Sequence, residues 1–306
     1  MSTRDFLDQL EEKTGVKISL DQRNAIKDRL GAIISYKPKV GVFGKTGVGK
    51  SSLCNALFGH DICPINDVES CTREPKEVIL NIGGQGITLL DVPGVGESQE
   101  RNIEYGKLYN SLLPELDIVL WVLKGDDRAF AEDEIFYKTI VKPHINHSMP
   151  FFFVLNQADK IEPFREWDVA NHTPGPNQLA NIERKKTAVS QAFQIPTEKV
   201  IPVSANEKYK LVDLVDSIVF ALPRDKRISF AREIPEENLS EISREAVKKS
   251  WAEAVEDVIR ENTGSEFLAK TGAALASAAE LAVDIIIEKA GKVAEKAISF
   301  FKSLFW

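Results

Sequence analysis

Cysteine is scarce in this chain: three residues, Cys54, Cys63 and Cys71, among 306. An odd, sparse set without paired spacing argues against a disulfide framework and for free thiols in a reducing compartment. Long apolar runs are missing too. None reaches the roughly 18 residues of a bilayer-spanning helix. The opening residues, Met1-Ser2-Thr3-Arg4-Asp5, lack the apolar core of a signal peptide, and a cytoplasmic protein is expected. Basic charge is not in excess. The net charge of −7 argues against a broad nucleic-acid surface, although a local basic patch is compatible with it. There is no internal repeat and no low-complexity tract. What remains, 43% hydrophobic and 28% charged residues, fits a globular fold with one large domain and a helical appendage.

One stretch organises the rest. Gly44-Lys45-Thr46-Gly47-Val48-Gly49-Lys50-Ser51 matches G-x-x-x-x-G-K-[ST], the phosphate-binding loop. Lys39-Val40-Gly41-Val42-Phe43 before it reads as a buried strand. Ser52-Leu53-Cys54-Asn55-Ala56-Leu57-Phe58 after it reads as a helix ending near Gly59. Strand, glycine loop and helix start are the context this motif requires. Glycines let successive N–H groups turn inward around a polyphosphate, and the helix start adds its partial positive end. Gly44 through Ser52 are therefore assigned to the phosphates, with Lys50 on the β- and γ-phosphates and the Ser51 hydroxyl on Mg²⁺.

Three segments follow from the patterning. Residues 1–37 read as helices: a short one marked by Phe6, Leu7 and Leu10, then one opened by Ser19 with Gln22 at capping-box spacing. Its apolar face is Ala25, Ile26, Leu30, Ile33 and Ile34, which packs on the main domain or serves as a dimerisation arm. Residues 38–222 alternate strand and helix signals. Strands are expected at 78–82, 87–91, 117–123, 151–155 and 199–203, with helices near 130–142, 177–193 and 208–220. Gly83-Gly84-Gln85-Gly86 is a hairpin turn signal. These units predict an α/β fold, a mostly parallel sheet with helices on both faces. Residues 223–306 are helical, with Leu239, Ile242, Ala246, Val255, Val258 and Ile259 on one stripe and a break at Thr263-Gly264.

Four further motifs stand in the order that nucleotide chemistry wants, three of them at strand ends. Asp91-Val92-Pro93-Gly94 offers a carboxylate for Mg²⁺ and a glycine N–H for the γ-phosphate. Asn156-Gln157-Ala158-Asp159 ends another strand, on the edge where such sheets bind ligands. A carboxylate at Asp159 accepts from both N1–H and N2–H₂ of guanine, a pair that adenine does not offer, while Asn156 braces the loop. Ser204-Ala205 ends the next strand, with the Ala205 N–H aimed at guanine O6. Thr72, within 60–75, carries a hydroxyl that joins Mg²⁺ only while the γ-phosphate is present, an order–disorder switch. Lys50, Thr72 and Gly94 are the candidate catalytic residues, and Ser51, Thr72 and Asp91 the candidate metal ligands.

Together these stretches resemble the five guanine-nucleotide motifs of the small-GTPase fold, in the order and spacing of the Era-like division. Gly44–Asn55, Cys71-Thr72-Arg73, Asp126-Asp127-Arg128 and Asn156–Lys160 look most like the small bacterial YfjP-type GTPases. The resemblance covers about residues 38–222 and implies the P-loop GTPase fold with a six-stranded sheet, GTP/GDP as ligand, Mg²⁺, and GTP hydrolysis in a molecular switch. Three positions depart from it. Gly47 stands where many Era relatives have an asparagine that in some binds potassium. Val95 follows Gly94 in place of a water-orienting glutamine, so hydrolysis needs another group or a partner. Glu97, Glu100, Arg101, Arg73 and Arg128 are the charged candidates. Gln157 replaces the usual lysine, at the cost of its charge and stem contact.

Partners are read from the termini. Val293, Ala297, Phe300, Phe301 and Leu304 recur at helical spacing near Lys289, Lys292, Lys296 and Lys302, a stripe for helix packing, a partner helix or a membrane surface. Expected partners are a second copy of the chain, through the nucleotide domain or the terminal helices, and an effector protein. The alternative reading is a nucleotide-gated scaffold at a membrane surface with negligible turnover.

Overall fold

Strand β1 (Lys39–Phe43) is buried from Val40 onward, as an unbroken apolar run requires when both faces of a strand are covered. Strands β4 (Ile118–Lys124) and β5 (Phe151–Asn156) are buried over almost their whole length for the same reason. The computed structural model describes residues 6–45, 47–59, 76–80, 87–91, 113–127, 130–145 and 149–278, with 76–80 and 87–91 as backbone. These form two compact units, one within residues 39–218 and one made of residues 6–38 and 219–278.

The first unit holds a six-stranded sheet in the order β2-β3-β1-β4-β5-β6. Strand β2 is Lys76–Leu80, β3 is Ile87–Asp91 and β6 is Val200–Pro202. The pairs β3–β1, β1–β4, β4–β5 and β5–β6 are parallel. The turn signal at 83–86 lies outside the described residues. Register brings Val42 opposite Asp91, Phe43 opposite Trp121 and Lys124 opposite Asn156. The carboxyl ends of β1, β3, β4 and β5 therefore arrive at one edge, where open parallel sheets bind ligands.

Beneath that edge the core is aromatic. Trp121 is fully buried and stacks on Phe43 at 6.2 Å between ring centroids, and Phe153 lies 4.4 Å from Phe193. Helix α3 is Lys50–Phe58, α4 is Ala131–Phe136, α5 is Pro176–Phe193 and α6 is Leu211–Ala221. The single helix expected near 130–142 is α4 followed by a π-turn at Tyr137–Val141 and a 3₁₀ turn at Lys142–His144. Pro143 has no N–H to donate, so the regular ladder cannot run through it.

The second unit joins helices from residues 6–35 to helices from residues 224–278. Helix α1 (Phe6–Thr14) packs on α9 (Glu266–Ala278), and α2 (Leu20–Ser35) packs on α7 (Arg224–Ala231) and α8 (Glu241–Thr263). The capping box at Ser19 and Gln22 forms in both directions. The sequence treats the two terminal segments separately; short amphipathic helices cannot bury their apolar stripes alone, and here they share one core. On α8 the stripe differs from the apolar count. Ile242 is 66% exposed, while Ser243, Val247, Ser250 and Trp251 are buried. Ser250, whose Oγ donates to Ala246 O at 2.8 Å, takes an inward position that a hydrophobicity pattern cannot assign to it. Among the described residues no helix is long and apolar enough to cross a membrane.

The end of α2 is closed by a buried ion pair. Arg232 Nε donates to Glu233 Oε1 at 2.6 Å, and its other nitrogens donate to the carbonyls of Ile34 and Tyr36. Ser229 Oγ donates to Ile33 O at 2.7 Å. These bonds meet the open carbonyls of a helix terminus. Burial holds the Glu233 carboxyl above its ordinary range despite the pull of Arg232. Replacing Arg232 by Met orphans both the carboxylate and the helix end, and is expected to destabilise the helical unit by about 3–5 kcal/mol in urea unfolding. A change below about 1 kcal/mol would show that the pair contributes little.

Candidate nucleotide-binding site

The loop between β1 and α3 takes backbone shapes that side chains resist. Gly44, Gly47 and Gly49 have φ of 138°, 82° and 87°. A Cβ on Gly44 would lie 2.3 Å from Val122 O, and one on Gly49 would lie 2.5 Å from Asn156 Nδ2. Left-handed geometry and close approach together require glycine there. Helix α3 starts from Gly49 with no side-chain cap, and the N-terminus of a helix is where an anion binds. Lys50 Nζ donates to Gly44 O at 2.9 Å and to Lys45 O at 3.3 Å, so the ammonium is folded back over the loop. Ser51 and Ser52 are half-buried in the first turn of α3.

Lys45 is placed by a contact that the motif does not announce. Its ammonium lies 3.0 Å from Asp133 and 3.1 Å from Glu132, both on α4. Burial pulls the Lys45 ammonium down, and the two carboxylates outweigh it and hold it above its ordinary value. Burial raises the Asp133 carboxyl in spite of Lys45. Lys45 thus anchors the loop, and its backbone is what remains for a phosphate.

Asn156 closes the site from the other side. It is 1% exposed. Its Nδ2 donates to Val48 O at 3.0 Å and Gly49 O at 3.4 Å, and its Oδ1 accepts from the Ala205 N–H at 3.1 Å. The expected brace is therefore a direct bond to the phosphate loop. The Ala205 amide, assigned to guanine O6, faces Asn156 in this arrangement. Gln157, left-handed at φ 61°, donates from Nε2 to Gly47 O at 3.4 Å and accepts from Lys160 Nζ at 3.0 Å. A contact with the loop survives the change from lysine, and a charge stands one side chain further back.

Asp159 sits in the 3₁₀ turn Ala158–Lys160, half-buried. Ser204 pairs with Tyr209 through both backbone groups, and its Oγ accepts from Glu207 N at 3.3 Å. The long segment between Asp159 and α5 is folded onto this loop. Glu207 Oε2 pairs with His172 Nδ1 at 2.8 Å and accepts from Trp167 Nε1 at 3.3 Å, while Trp167 meets the Tyr209 ring edge-on at 5.4 Å. The His172 bond, with Trp167 behind it, holds the Glu207 carboxyl below its usual range. Glu166 caps α5, accepting from the N–H groups of Asn177 and Gln178. The Glu166 and Glu207 side-chain bonds carry no sequence signal, because they join residues eleven to forty positions apart with no recurring spacing.

Asp91 ends β3 beside Val42 of β1, one residue from the strand end that feeds the loop. Thr46, Thr72 and Gly94 lie outside the described residues, as do Arg73, Glu97, Glu100, Arg101 and Arg128. Among the described residues no group of three or more His, Cys, Asp or Glu side chains gathers as a metal site. Mg²⁺ needs no such cage: a hydroxyl at Ser51 and a strand-end carboxylate at Asp91 are hard oxygen donors of the kind it takes beside substrate phosphates. The donor set fits the ion.

A parallel sheet with a glycine loop, a bare helix start and an Asn-x-x-Asp turn at one edge defines a P-loop nucleotide-binding protein. Residues 39–157 match the family described as 50S ribosome-binding GTPase. The chain is 39% identical to YkfA of Escherichia coli (strain K12) over 76% of its own length and 78% of that protein. It is 36% identical to YfjP of the same organism, over 79% of this chain and 81% of that one. To GTPase Era of Aquifex aeolicus (strain VF5) it is 26% identical, over 72% of each. The chain belongs to the P-loop GTPase family, in the group of YkfA and YfjP.

Proposed function

We propose that this chain is a Mg²⁺-dependent GTP-binding protein that hydrolyses GTP to GDP and phosphate and works as a molecular switch in the cytoplasm. Asn156 carries the reading. One buried amide joins the phosphate loop at Val48 and Gly49 to the base loop at Ala205, so both ends of a nucleotide would be held by one framework. The amides from Gly44 to Ser52 would receive the phosphates, and Lys50 would oppose charge developing at the β–γ bridge. Ser51 and Asp91 would hold Mg²⁺, which neutralises charge on the phosphate oxygens when bound. Asp159 would take the guanine edge, with Ala205 near O6. Thr72 and the Gly94 N–H would sense the γ-phosphate, and its loss would release their segments.

Turnover by the lone chain is expected to be slow. Val95 follows Gly94, and valine cannot hydrogen-bond the attacking water. A second copy of the chain or an effector protein would supply the missing group. The same Val95 favours the second reading, a nucleotide-gated scaffold at a membrane surface. Titration with fluorescent GDP, GTP and ATP tests the binding half: guanine nucleotides are expected to win, and equal affinity for ATP removes the assignment. Phosphate release is then followed against protein concentration, with and without liposomes. A rate per molecule that climbs with concentration supports activation between copies, and no release under any condition favours the scaffold.

A further inference from the structure

Gln178, in the first turn of α5, is 0% exposed. Its Nε2 donates to Asp159 O and to Ile161 O, each at 2.9 Å. Its own N–H is held by Glu166 Oε2 at 3.2 Å. Both carbonyl partners only accept, so the amide can serve them in one orientation, with its NH₂ toward the turn. Gln178 Oε1 then points into the protein interior, buried and without a partner among the described residues. A buried acceptor left unpaired is destabilising and rare, and a methionine would fill the space without it. Beside this, among the described residues, no hydrogen bond or ion pair engages the Asp159 carboxylate.

We infer that Gln178 is a positioning residue for base selection: it fixes the backbone turn from which Asp159 reaches the guanine edge. The inference rests on the GTP reading of the site. Hydrogen bonds from one carboxylate to N1–H and to the N2 amino group are directional. They hold together only while the turn is kept in place by neighbours that are themselves locked.

Comparing GDP with IDP isolates this effect. The two differ by the N2 amino group, and the ratio of their affinities does not depend on the fraction of protein that is folded. The native chain is expected to favour GDP about 10- to 100-fold, the worth of one hydrogen bond to a charged group. Gln178→Met is expected to lower that ratio about threefold or more, with most of the loss on GDP. Gln178→Glu keeps the length, lacks both N–H donors, and is expected to do the same; it is read if the Met variant does not fold. In an Asp159→Ala background Gln178→Met should leave the ratio unchanged. A native-sized ratio in the folded Gln178 variants, or a further drop in the Asp159→Ala background, overturns the inference alone. A ratio near one in the native chain overturns the guanine reading and the inference with it.

Discussion

Exchanging Asp159 for Asn is expected to weaken GTP binding by about 10³-fold or more and to raise affinity for XTP. The carboxylate offers two acceptors to the two N–H groups on the guanine edge. An asparagine turns one of them into a donor, which meets N2–H₂ head-on but suits the O2 carbonyl of xanthine. The effect is large because a donor is left facing a donor. The fold should be indifferent. Asp159 lies in a 3₁₀ turn fixed through its backbone by Gln178, and among the described residues its carboxylate holds nothing else in place. Equilibrium binding of fluorescent GTP and XTP reads the outcome, and unchanged selectivity would remove Asp159 from the base pocket.

Asn156→Ala should damage both stability and binding. The change leaves Val48 O and the Ala205 N–H without their partner, and Gly49 O without its weaker one. At about 1–3 kcal/mol for each of the two buried groups left unpaired, a loss of about 2–6 kcal/mol in unfolding free energy is expected. GTP affinity should fall about 10- to 100-fold, since the phosphate loop loses its tie to β5. Asn156→Asp is the sharper probe. It keeps the shape but turns a carboxylate oxygen toward the Val48 carbonyl, so it should be at least as harmful. If Asn156→Asp binds GTP as the native chain does, the donated bonds are not what orders the loop.

Much of this site is legible in the amino-acid sequence. The glycine loop can be read because its chemistry is local. Gly44, Gly47 and Gly49 occupy backbone regions that penalise every other residue, and Lys50 lies one residue beyond, where the helix must begin. Strands β1, β4 and β5 can be read because strands buried on both faces have unbroken apolar sequences. The stripe on α8 is less legible, since Ile242 is outside and Ser243 inside; packing against neighbouring helices, rather than hydrophobicity, sets that face. Lys45 shows the same limit within the motif itself. Its place in the loop is a pattern, but its pairing with Asp133 and Glu132 depends on where α4 lies.

The sequence by itself determined that a phosphate loop, an Asn-x-x-Asp turn and a Ser-Ala turn follow three apolar strands, because local backbone and burial rules act within a few residues. Tertiary structure alone decided that these turns meet: parallel pairing brings the strand ends to one edge, and Asn156 and Gln178 then bond across more than a hundred and about nineteen positions respectively. Only tertiary structure, again, put residues 6–38 and 219–278 into one helical unit. Contacts of that reach are chosen by which surfaces remain to be buried once the elements exist, and no short window of residues encodes that choice.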